Sequence, residues 1–205
     1  MDLDINARNH VIHGLGRSFG KDPKTVASYA RVFMKAMRDN HILTSIKHFP
    51  GHGSSVGDTH KGFVDVTKLY QESEMEPYRL LKGDADTVMV AHVFNRNFDA
   101  EYPASLSQKT ITGVLRSELG YEGVVITDDL QMGAISQKYG LRNTLKLAIN
   151  AGDDILLVGN QLDPQQVVSV KTLVDTIASL VKSGEVKMQS IEASNRRINV
   201  LKQKL

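Results

Sequence analysis

Gly123-Val124-Val125-Ile126-Thr127-Asp128-Asp129-Leu130-Gln131-Met132 sets a short β-branched apolar run directly before two carboxylates. A run this short and this apolar reads as a strand buried on both faces of a parallel sheet. Its polar residues collect at the C-terminal end, where parallel α/β sheets keep their chemistry. The pattern recurs along the chain. Thr44–His48 runs into Lys47 and His48, Thr87–Val93 carries His92 near its end, and Asp154–Val158 runs into Gly159-Asn160. Strand starts are separated by roughly 30 to 45 residues, room for one helix and one loop each.

Helix-compatible stretches fill the gaps: Pro23–Asn40, Lys68–Lys82, Leu106–Leu119, Leu141–Ala151, and then about Pro164–Ser183 and Ser190–Leu205. In the first, Val26, Ala30, Phe33 and Met37 are expected on one face, and Asp22-Pro23 is a capped helix start. Gly120 is a natural C-cap. Repeated β-then-α units imply right-handed crossovers and an α/β fold. A closed barrel and a doubly wound open sheet share this local pattern, and periodicity does not separate them.

The 205 residues fit one domain, 1–205, with 41% hydrophobic and 23% charged residues. A net charge of +2 with scattered Lys and Arg gives no nucleic-acid footprint. The absence of cysteine excludes disulfides and thiolate metal sites. No apolar run approaches the roughly 18–20 residues of a membrane span. No signal-peptide pattern follows Met1, so the default expectation is a cytoplasmic protein.

The densest chemistry lies in Lys47-His48-Phe49-Pro50-Gly51-His52-Gly53-Ser54-Ser55-Val56-Gly57-Asp58-Thr59-His60. Three glycines suggest a mobile loop. Asp58 and His60 are two apart, so in an extended or turned segment the carboxylate reaches one imidazole nitrogen, orients the ring and favours its protonated form. A metal site built from His48, His52, Asp58 and His60 is the competing reading, although the spacing matches no helical metal pattern.

Lys47–Gly53 followed by Asp58-Thr59-His60 resembles the signature of glycoside hydrolase family 3, in its β-N-acetylglucosaminidase branch. Arg17-Ser18-Phe19-Gly20, Ala91-His92-Val93 and Gly123–Met132 match further segments of that family in order. The resemblance implies a (β/α)8 TIM-barrel type fold, incomplete, running from about the fourth strand onward, with Asp2–Ile5 as the end of that strand. It implies a retaining glycosidase acting on terminal β-linked N-acetylglucosamine, with Asp128 as nucleophile and His60, oriented by Asp58, as acid and base. Arg17, Lys47, His48 and His92 would bind the sugar, and Lys47 would help keep Asp128 ionised. Asp129 reads as a supporting or capping residue. No metal or organic cofactor is implied. The partners expected are a carbohydrate substrate and a complementing N-terminal half or a second copy, since an unclosed parallel sheet exposes its edges. An inactive or complementing barrel fragment, a phosphorylase and a β-glucosidase-like activity remain as alternatives.

Overall fold

In a computed structural model, residues 1–5, 10–165 and 167–205 are described. The centre is a parallel sheet of β1 (Ser45–Phe49), β3 (Thr87–Val90) and β5 (Val124–Thr127), in that spatial order. Parallel bridges extend it at both sides, from Asp2 to Lys47 and from Ile126 to Ile155. Five chain segments therefore lie side by side in sequence order, with no reversal of direction across the sheet. A doubly wound sheet places a reversal at its switch point, whereas each strand of a barrel adds beside the one before. A small separate pair, β2 (Val64–Asp65) with β4 (Val93–Phe94), is also parallel.

The expected strand over Asp154–Val158 is reduced to that single bridge. Its inner edge is nevertheless held: Thr127 donates to the Ile155 carbonyl, and the Leu157 amide to Thr127 Oγ1.

Helix α1 (Pro23–Arg38) starts as expected, with the Asp22 carboxylate accepting from the Thr25 amide at 2.7 Å, a cap worth about 1 kcal/mol. Its inner face is Val26, Ala27, Ala30 and Met34. Phe33 is exposed and Met37 only half-buried, because the sheet contacts a stripe rotated by one residue. The single long helix expected over Lys68–Lys82 is instead a 3₁₀ turn (Glu72–Met75) followed by α2 (Glu76–Leu81). Pro77 explains the division: in a helix interior its ring would strike the carbonyl four residues back, and in the first turn it fits. Leu106–Leu119 divides into a 3₁₀ turn (Ala104–Leu106) and a wide π-type helix (Lys109–Glu118), whose end is closed by Leu119 donating to the Val114 carbonyl. Its Thr, Ile, Val and Gly residues have weak α preference, leaving packing to choose the winding. Gly120 follows at φ 72°.

After β5 comes α3 (Gly133–Ser136), then α4 (Leu141–Ala151), which matches its expected span. The last two helices are α5 (Val170–Lys182) and α6 (Met188–Lys202). The helix expected from Pro164 begins only after Ser169, whose hydroxyl caps the Thr172 amide. One apolar core lies between the sheet, α1 and α2, where Phe49 and Tyr78 meet edge to face at 5.2 Å. A second joins α3, α4 and α5 through Ile135, Leu145, Ala148 and Leu180. Among the described residues no helix is long and apolar enough to cross a membrane.

Candidate active site

The expected polar residues gather at the C-terminal rim of the sheet, each for a local reason. Asp128 follows β5, and its amide donates to the Val90 carbonyl of the neighbouring strand, which fixes where the side chain leaves the sheet. Its Oδ1 accepts from the Asp129 amide at 2.9 Å. Burial raises the Asp128 pKa, but His92, His48, the Asp129 amide and Lys47 outweigh it and hold the carboxyl below its ordinary value.

His48 ends β1 and is the most constrained group of the site. Its Nδ1 lies 3.0 Å from Asp4 Oδ2 and 3.1 Å from Asp2 Oδ1, all three side chains being buried. Burial alone would lower its pKa; the two carboxylates overcome that and push it up to about 9. The second Asp4 oxygen accepts from the His52 amide at 2.7 Å. Asp2 is held below its ordinary pKa, burial being outweighed by His48 and by Arg17, whose Nε is 2.8 Å away. Arg17 thus reaches the rim tied to Asp2, and also donates to the Val11 carbonyl. Two cis peptide bonds, Lys47–His48 and Phe49–Pro50, lie in this segment.

Asp58 and His60 form the expected pair, with Nδ1 to Oδ1 at 2.7 Å and the His60 amide on the same oxygen at 3.0 Å. An ionised carboxylate only accepts, so Nδ1 carries its proton and Nε2 is the atom left to give or take one. The pair is exposed, 49% for the His60 side chain and 27% for Asp58. Asp58 is held below its ordinary pKa, since burial is outweighed by the hydrogen bonds and charge of His60.

His92 departs from the expected sugar contact. It is fully buried, with Nδ1 2.6 Å from Ser105 Oγ and Nε2 2.9 Å from the Asp129 carbonyl. Both ring nitrogens are engaged by the protein, so neither is open to a sugar hydroxyl. Burial lowers its pKa, and the carbonyl fixes the proton on Nε2. His92 therefore braces the backbone beside Asp128. Asp129 behaves as a supporting residue, its Oδ1 accepting from the Gln131 and Gly159 amides.

The four residues of the alternative metal reading do not converge. His52 is buried, with its nitrogens on Ser55 Oγ and Thr59 Oγ1, apart from the exposed Asp58–His60 pair. Among the described residues the grouping with metal-ligand spacing is Asp2, Asp4 and His48, whose ligand atoms lie within 4.8 Å of one another. There the shared His48 proton already stands where a cation would. Asp2, Asp4 and Ser105 are the residues that sequence reasoning left without a role. A signal existed for Asp4, a carboxylate set between Leu3 and Ile5 in an apolar strand end.

The pattern described as "Glycosyl hydrolase family 3 N terminal domain" matches residues 2–201. The beta-hexosaminidase LpqI of Mycobacterium tuberculosis is 35% identical over 195 residues, covering 91% of this chain and 48% of that protein. A beta-hexosaminidase of Xylella fastidiosa is 36% identical over 160 residues, covering 76% and 47%. In structure, a glycoside hydrolase family 3 beta-N-acetylglucosaminidase from Paenibacillus superposes with a TM-score of 0.88 at 35% identity, over 99% of this chain and 39% of that one. The chain spans about half the length of the curated relatives it matches. An α/β fold of TIM-barrel type, the ordered rim residues and these matches together make the chain a member of glycoside hydrolase family 3.

Proposed function

We propose that this chain carries the catalytic centre of a retaining glycosidase that releases terminal β-linked N-acetylglucosamine. The observations that carry the reading are an Asp128 carboxyl held ionised at the end of β5 and an Asp58–His60 couple on a loop whose backbone is hydrogen-bonded to Gly133 and Ala134, just after Asp128. Asp128 attacks the anomeric carbon as the glycosidic bond breaks, and the departing oxygen takes the proton from His60 Nε2. Water then attacks the glycosyl–Asp128 ester, its proton passes to Nε2, and Asp128 is released as carboxylate. Most retaining enzymes set two carboxyl groups about 5 Å apart for these tasks. An imidazole does the second task without the burial a carboxylic acid needs to stay protonated near neutral pH. Lys47, His48 and Arg17, cations at the rim, supply hydrogen bonds to sugar hydroxyls, and His92 acts through the Asp129 backbone.

Leu156 and Val158 face an apolar cavity of about 360 Å³ between α4, α5 and α6. The carboxyl of Asp153, buried at its margin, has no hydrogen-bond partner among the described residues. The proposed partner at the side of the sheet is a complementing half or a second copy of the chain.

The test is hydrolysis of an aryl β-N-acetylglucosaminide, beside binding of an N-acetylglucosamine-derived lactone oxime. Turnover that is lost in Asp128→Ala is expected. Absence of both turnover and binding in the unmodified chain would overturn the reading.

A further inference from the structure

The loop that carries His60 is rich in glycine, and the imidazole is half-exposed, yet its backbone is held at three consecutive carbonyls. The Thr59 carbonyl accepts from the Ala134 amide at 3.1 Å, and the His60 carbonyl from the Gly133 amide at 3.1 Å. The Lys61 carbonyl accepts from Gln137 Nε2, also at 3.1 Å. All three donors belong to α3 and the residue that ends it. Helix α3 starts after Met132 without a side-chain cap, and the first amides of a helix have no partner within it. The loop therefore fills the place of the missing cap. Gly133 is what permits the approach: a Cβ there would lie 2.9 Å from the His60 oxygen and 2.9 Å from the Lys61 carbonyl carbon. A methyl group at that distance displaces the loop backbone.

The dock is also tied to the nucleophile. Gly133 is five residues after Asp128. The intervening turn is held by Met132 donating to the Asp129 carbonyl, the same oxygen that accepts from His92 Nε2. One short braced segment thus sets Asp128 at one end and the anchor of His60 at the other. We propose that Gly133 and Gln137 are positioning residues that latch the acid–base loop onto the nucleophile segment, so that His60 is placed relative to Asp128 by main-chain contact. This rests on the glycosidase reading for its catalytic consequence, and on geometry alone for the latch.

His60 also activates water in the second step, so the diagnostic quantity is kcat/KM, which reports only the first step, where a misplaced acid harms just the leaving groups that need a proton. For Gly133→Ala, kcat/KM for alkyl β-N-acetylglucosaminides, whose leaving groups require protonation, is expected to fall on the order of 10²-fold. The kcat/KM of the dinitrophenyl glycoside, whose leaving group departs unaided, should change only slightly. Gln137→Ala should show the same selectivity in weaker form, with Gln137→Glu no better, since a carboxylate cannot donate. An equal loss on both substrates, or no loss on either, would overturn the latch, and the urea midpoint shows whether the variant is folded. Amide hydrogen exchange on the unmodified chain supplies a second readout that needs no turnover. Gly133 and Ala134 amides should be protected, and Gly133→Ala should expose residues 58–62 while leaving β5 protected. Unprotected amides at 133 and 134 would overturn the latch, whereas an inactive chain with protected amides would count against the glycosidase reading alone.

Discussion

Asp4–His48 and Asp58–His60 are the same two side-chain types at similar separations, 3.0 and 2.7 Å, and they are set up for opposite tasks. The first is sealed at the end of β1, 8% exposed for His48 and 0% for Asp4, with Asp2 as a second carboxylate on the same nitrogen. Removal from water strengthens each charge interaction there, and the imidazolium becomes a fixed cation facing Asp128. The second stands in solvent on a glycine-rich loop, where water screens the pair and the ring keeps one nitrogen free for exchange. Burial, more than residue type, separates a structural charge from a proton carrier.

The comparison can be broken by removing one carboxylate at a time. Asp4→Asn takes the charge opposite a buried imidazolium and weakens the bond to the His52 amide. The expected cost is about 3 kcal/mol of unfolding free energy at pH 7, read by urea titration. A loss under about 1 kcal/mol would mean that Asp2 alone suffices to hold the cation.

Changing pH tests the same pair without mutation. The folded pKa of His48 is raised from 6.5 to about 9. Its stabilising contribution is therefore complete below pH 6.5 and is lost as pH climbs through 9. A decline on the order of 3 kcal/mol between pH 6 and 9.5 is expected, and His48→Asn should flatten it. An unmodified chain equally stable at both pH values would refute the assignment of His48 as a buried cation.

The smallest effect on folding is predicted for the exposed pair. Asp58→Asn should change the unfolding free energy read by urea titration by less than about 1 kcal/mol, because a screened surface pair contributes little. Its consequence belongs to turnover. An Asp58→Asn chain destabilised as strongly as Asp4→Asn would erase the distinction between the two pairs.

Much of the site is legible along the chain because strand-end chemistry follows from local pattern. Asp128, His48 and His60 each sit where a short apolar run or a glycine-rich turn predicts a rim residue, and the Asp58–His60 couple is two positions wide. His92 shows where that reading stops. The motif places it at a strand end, as the sequence predicts, but whether its ring faces substrate or protein depends on Ser105 and the Asp129 carbonyl, 13 and 37 residues away. Asp2 and Asp4 act only once they lie against β1, and the hold of α3 on the His60 loop joins residues more than seventy positions apart.

The sequence by itself determined the alternation of strands and helices, the α4 span, the caps at Asp22 and Gly120, and the identity of the rim residues. These follow from apolar periodicity and backbone preference over a few neighbouring positions. Tertiary structure alone decided the side-by-side order of the strands, and which imidazoles are sealed and which stand in water. Those outcomes depend on which surfaces meet, and the burial and dielectric that set a histidine's charge arise only when distant segments close over it.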